Sequence, residues 1–124
     1  MKLRELPGLH VSVDEVVYAD SSEGTPEKPH RFVYFLTIWN DADTAVTIRG
    51  RKWVVREADG ETIVVEGDGV VGEFPRLEPG TKFSYNSSHI VASDAVSEGA
   101  YFGVTDAGEG VFTRIPPFRL TVPG

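Results

Sequence analysis

Cysteine is absent from the chain, which removes disulfides, thiolate metal ligands and cysteine nucleophiles from consideration. Long apolar runs are missing too, and no stretch approaches the roughly 20 residues needed to cross a bilayer. Residues 1–8 carry Lys2 and Arg4 with no apolar segment after them, so a secretory leader is not expected and the cytoplasm is the expected location. In that setting Asn86-Ser87-Ser88 is a chance match to a glycosylation sequon. Positive charge is in deficit, with 12 Lys and Arg against 19 Asp and Glu and a net charge of -7. Such a surface repels phosphate backbones, so neither nucleic acid nor a membrane is an expected partner. Helical periodicity is also lacking, and no internal repeat is present.

What is present is a period of two. The 124 residues, 40% of them hydrophobic, suit one domain (residues 1–124) with a single core. Leu9, Val11 and Val13 alternate with polar residues. Residues 21–29 are rich in Ser, Glu, Gly, Lys and Pro and read as a mobile loop. In residues 31–39, Phe32, Tyr34, Leu36 and Ile38 line one face, and Val33, Phe35, Thr37 and Trp39 line the other. A strand apolar on both faces is expected to be central and covered on both sides, or to have one face in a second interface. Asn40-Asp41-Ala42-Asp43 is a turn whose short polar side chains bond their own backbone.

Further strands are predicted at residues 45–48 and 53–56, with a bend or bulge at Gly50. Asp59-Gly60 predicts a hairpin into residues 61–66. Residues 67–72 form a glycine-rich corner, and Pro75, Pro79 and Gly80 exclude a long helix after it. A strand follows at residues 82–86, then a polar connection at 87–98, then a hairpin built from residues 100–105 and 111–115. Pro116-Pro117 interrupts the last strand and places it at an edge or at a switch between sheets. Seven or eight short strands with regular turn signals predict an all-β, two-sheet antiparallel sandwich.

Few constellations carry chemistry. Gly67-Asp68-Gly69-Val70-Val71-Gly72 is a literal GxGxxG, the pattern that cradles a pyrophosphate when a helix begins at its end. The prolines forbid that helix, and Glu66, Asp68 and Glu73 put carboxylates where phosphate oxygens would sit. Two readings stand: a strand-to-strand corner whose glycines supply positive φ, or an anion nest for pyrophosphate or a nucleotide, with Gly67, Gly69, Gly72 and Arg76 as its residues. Arg49, Arg51, Lys52 and Arg56 form a basic segment that reads as a solvated strand face or an anion contact. His10, His30 and His89 lack zinc-like spacing. Asp41 and Asp43 lack the rest of a calcium loop. No serine lies in a GxSxG setting, and Ser88 and His89, as strand neighbours, point to opposite faces. No catalytic residue, metal site or cofactor is therefore predicted. Trp39, Trp53 and the phenylalanines are assigned to the core.

Several of these segments together resemble the ApaG domain. They are Trp53-Val54-Val55, Asp59-Gly60, the run from Gly67 through Glu73 with Pro75, Leu77-Glu78-Pro79-Gly80, Phe83 and Tyr85, then Gly99-Ala100-Tyr101 and Ile115-Pro116-Pro117-Phe118-Arg119-Leu120. The resemblance spans about residues 9–123. It implies a bacterial protein with a fibronectin type III-like sandwich, a domain also fused to eukaryotic F-box proteins and to a polymerase-delta-interacting protein, where it mediates protein–protein contacts. It further implies a non-catalytic interaction module with an unidentified protein partner, and a genetic link to cobalt and magnesium tolerance and to a neighbouring dinucleoside-tetraphosphate hydrolase. The pyrophosphate binding suggested for the family falls on Gly67, Gly69 and Gly72 here. Residues 86–96 depart from the family pattern, lacking its prolines and methionine, and Lys52 stands where a histidine is common. A partner that contacts this loop is expected to differ accordingly.

Overall fold

The computed structural model describes residues 2–19 and 24–124. Among the described residues nine strands follow one another: β1 (Arg4–Glu5), β2 (Leu9–Ala19), β3 (His30–Asn40), β4 (Val46–Glu57), β5 (Thr62–Asp68), β6 (Arg76–Leu77), β7 (Thr81–Val91), β8 (Ala95–Thr105) and β9 (Gly110–Leu120). They make two layers. The larger sheet has the order β1-β9-β8-β4-β5 with β6 on the end of β4, and the smaller has the order β2-β3-β7. Pairing is antiparallel except between β1 and β9. The expected all-β sandwich is present.

The alternation in β3 explains its place. Phe32, Tyr34, Leu36 and Ile38 are buried between the sheets, and the strand is central in its sheet. Its other face is half-buried except at Thr37. There Trp39 lies between His10, stacked at 6.1 Å, and the Lys82 ammonium, 4.9 Å from the ring centroid. Trp39 is thus on the outer face and not in the core. Phe35, Phe102 and Phe112, half-buried outside the core, and Phe74, 51% exposed, also depart from the core assignment. Trp53 is buried as expected. Thr113 Oγ1 donates to the Leu9 carbonyl at 2.8 Å and ties the two sheets together where β9 lies over β2.

The turns follow the sequence chemistry. The Asn40 side-chain oxygen accepts from the Ala42 amide at 3.0 Å, and its Nδ2 donates to the Thr44 and Leu77 carbonyls. Gly60 takes φ 96° in the β4–β5 hairpin. A bulge falls between Ile48 and Gly50. Of the predicted loop at residues 21–29, residues 21–23 lie outside the described residues, and Thr25 and Lys28 close a tight turn by mutual backbone bonds.

Two expectations need correction. Residues 87–98 are not a long connection. β7 and β8 occupy most of them, and only residues 92–94 link the strands. The segment looks polar because β7 is an edge strand whose alternate residues face water. The second concerns Pro116 and Pro117, which do not break β9. The register jumps from Ser97↔Phe118 to Gly99↔Ile115, so the diproline sits opposite a bulge where no ladder donor is required. The far side of β9 is paired with β1 only at Val111 and Phe112, leaving the proline segment at an edge.

Candidate functional site

The open side of the sandwich, between edge strands β5 and β7, gathers the groups with chemical potential. Period two sends Arg51, Trp53 and Val55 of β4 inward, in register with Gly67, Val65 and Ile63 of β5. Tyr85, Ser87, His89 and Val91 of β7 share an inner face opposite them. Trp53 and His89 meet edge-on at 4.9 Å, and Tyr34 packs 4.7 Å from His89.

The glycine motif takes three separate roles. Gly67 lies in the β4–β5 ladder, and a Cβ there would meet the Arg51 guanidinium at 2.8 Å. Its missing side chain lets Arg51 cross the strand and donate through Nη1 to the Asp68 and Gly69 carbonyls, at 2.9 and 3.2 Å. At Gly69, φ is 64°, and a Cβ would fall 2.3 Å from the Glu73 carbonyl oxygen. Gly72, at φ 82°, is the second central residue of a two-residue turn closed by Val70 N to Glu73 O and Glu73 N to Val70 O. The amides of Gly69, Val70 and Glu73 are therefore already bonded, and the geometry matches the corner reading. Arg76 is not brought to the loop's amides. Its guanidinium bonds Asp106 and Glu78.

Three groupings were not visible in the sequence. Tyr85 and Tyr101 hydroxyls hydrogen-bond one another. Burial raises the pKa of both phenols, and Tyr34, bonded to Ser87, shifts the same way. His89 Nε2 lies 3.2 Å from Ser97 Oγ. Burial lowers the imidazole pKa to about 4, which makes it a weak general base. Ser97 is fully buried, so its hydroxyl is out of a substrate's reach. The third grouping is Glu57, Asp59 and Glu61, with carboxylates within 4.8 Å of one another. Lys28 bonds Glu57 at 2.8 Å and reaches Glu61 at 3.5 Å. Glu57 also accepts from the Ala92 and Ser93 amides at 2.5 and 3.2 Å. Burial pushes its pKa up, but Lys28 and the two amides outweigh that and hold it below the ordinary glutamate value. Asp41 is bonded to His10 Nε2 at 2.7 Å.

The described residues contain no helix long and apolar enough to cross a membrane. The family described as DUF525, ApaG domain, matches residues 20–105. The chain is 40% identical over 108 residues to Protein ApaG of Shewanella loihica, covering 86% of each chain. It is 34% identical over 119 residues to Protein ApaG of Vibrio cholerae, covering 95% of this chain and 94% of that one. A solved X-ray structure, the structural-genomics target SoR45, superposes with a TM-score of 0.85 at 34% identity, over 94% of this chain and 89% of that one. Matched by the family model over residues 20–105 and 34–40% identical to these relatives along most of its length, the chain belongs to the ApaG family.

Proposed function

We propose that this domain is a non-catalytic binding module that docks protein partners along the β5 edge and the turn after it. The observation that carries the reading is Val71. It is β-branched, yet sits at φ 44° with 48% of its surface exposed. Left-handed backbone at such a residue costs about 1–3 kcal/mol, and strain of this kind clusters at functional sites. Asparagine or glycine would relieve it. Val64, Val65 and Phe74, exposed by 54%, 40% and 51%, lie on the same strand and loop. A free strand edge with apolar side chains is a template for an added strand. Glu61, Glu66 and Asp68 interleave with that edge and discourage self-pairing. On this reading the protein works in the cytoplasm, and the family's link to cobalt and magnesium tolerance runs through the partner.

The test is photo-crosslinking in cells from a reactive residue at position 64, in the parent and in two variants. Val71→Asn is expected to raise stability by about 1 kcal/mol while weakening the discrete adducts. Phe74→Glu is expected to weaken them with little change in melting temperature. Absence of discrete adducts, or adducts untouched by both substitutions, rejects the reading.

A further inference from the structure

Register fixes which backbone groups β5 turns outward. Glu57 N donates to Glu61 O and Gly69 N donates to Arg49 O, each at 2.8 Å, at the two ends of the β4–β5 ladder. Between them the pairing runs unbroken from Gly50↔Asp68 to Arg56↔Thr62. Antiparallel pairs alternate between bonded and non-bonded, so Ile63, Val65 and Gly67 direct their backbone groups to β4. Thr62, Val64, Glu66 and Asp68 direct theirs to the free edge, where β5 ends its sheet. The Asp68 carbonyl accepts from Arg51, and the other edge groups have no strand beside them among the described residues.

Side chains alternate in the same way. Thr62, Val64, Glu66 and Asp68 share the outer face, where Glu66 reaches Lys52 at 3.5 Å. Ile63 and Val65 share the inner face. With Val55, His89 and Val91 they bound a crevice of about 260 Å³. Its two flanking strands, β5 and β7, are terminal in their sheets. His89 adds no charge there at neutral pH, since burial holds its pKa at about 4. The edge therefore offers unpaired main-chain groups, carboxylates on one face and an apolar crevice on the other.

We infer that β5 takes an extended peptide segment as a new edge strand, one with lysine or arginine at alternate positions and apolar side chains between them. The inference rests on docking at the β5 edge and names the chemistry of the partner. Main-chain bonds to Thr62, Val64 and Glu66 form the ladder. Cationic side chains on the outer face come beside Glu66 and Asp68, at cross-strand distance. Apolar side chains on the inner face come beside Ile63 and Val65 and cover the mouth of the crevice, removing apolar surface from water. A second copy of this chain is a poorer match, because each copy carries a net charge of -7 and presents the same acidic edge.

The experiment is an amide-resolved NMR titration of the full chain, at neutral pH and low salt, with three capped synthetic peptides. One alternates lysine with valine, one glutamate with valine and one lysine with serine. The lysine–valine peptide is expected to bind saturably and to slow amide exchange at Thr62, Val64 and Glu66, with little change at Ile63 and Val65. The other two should bind about tenfold more weakly, one for its charge and one for want of apolar side chains. Added salt should narrow the first difference. Val64→Pro removes a donor from the free edge while sparing the β4 ladder, and it should abolish binding with the spectrum still dispersed. Glu66→Lys combined with Asp68→Lys should reverse the preference between the lysine–valine and glutamate–valine peptides, and it carries the test if Val64→Pro does not fold. Absence of saturable shifts at millimolar lysine–valine peptide, equal affinity for the glutamate–valine peptide, or unchanged binding in Val64→Pro would overturn the inference. So would concentration-dependent protection of the same amides without peptide, which would assign the edge to a second copy. Discrete adducts from position 64 in cells, beside any of these results, would leave docking at the edge standing and remove only the strand chemistry.

Discussion

Gly67, Gly69 and Gly72 look equivalent as letters but answer to different forces. Gly69 combines a left-handed φ with a backbone oxygen 2.3 Å from where a Cβ would sit. Gly72 has the conformation alone, with open space around it. Gly67 has an ordinary backbone, and its obstacle is the far end of a flexible arginine. Urea unfolding should therefore rank the alanine variants. Gly72→Ala is expected to cost about 1 kcal/mol, the price of a left-handed alanine. Gly69→Ala should cost more, about 3 kcal/mol, because backbone must move as well. Gly67→Ala should cost least and displace Arg51 from the Asp68 and Gly69 carbonyls. The motif's corner was legible in the sequence, since the prolines after it exclude a helix. The division of labour was not, because it depends on what lies across the strand.

Among the elements, the β7–β8 hairpin was the hardest to read. Its residues, Thr81–Val91 and Ala95–Thr105, alternate imperfectly because β7 is an edge strand with polar residues on its inner face as well. The short link at residues 92–94 is held by Glu57, whose buried carboxylate accepts from the Ala92 and Ser93 amides and from Lys28. Ala58 N to Asp94 O, 2.8 Å, adds a backbone clasp between the same two hairpins. Glu57→Ala would leave two amides without their acceptor and the Lys28 ammonium with Glu61 alone, at 3.5 Å. It is expected to lower stability by about 3 kcal/mol, read from denaturant unfolding. Hydrogen exchange should accelerate first at residues 91–95. Glu57 reads in the sequence as one more surface acid at a hairpin mouth. Its burial follows from the packing of one hairpin end against another.

For the molecule as a whole, pH reports on the interior. His89 has a folded pKa near 4 from burial against about 6.5 unfolded. Below 6.5 the unfolded chain binds the extra proton, so stability is full above that value. It then declines between about 6.5 and 4, by about 3 kcal/mol in total. Glu57 acts lower on the scale. Its depressed pKa contributes stability above the ordinary carboxyl range, lost as pH falls through the folded value. Chemical unfolding at pH 7 and pH 5 should show the first decline, and His89→Phe should flatten it. A parent profile flat over that interval would refute the buried neutral imidazole.

Sequence alone determined the class of fold, because a period of two with turn residues between short runs permits sheets and little else. It also determined the central place of β3 in its sheet and the corner at Gly72. Only the tertiary structure decided which residues converge. Arg51 reaches the edge because Gly67 happens to lie beside it in the ladder. Ser97 meets His89, and Tyr85 meets Tyr101, because the two sheets face one another across the core. Trp39 lies outside because the alternation of β3 assigns it to the face that no second layer covers. Contacts between sheets depend on register and stacking, which are settled by the whole chain packing at once, and local sequence periodicity carries no record of them.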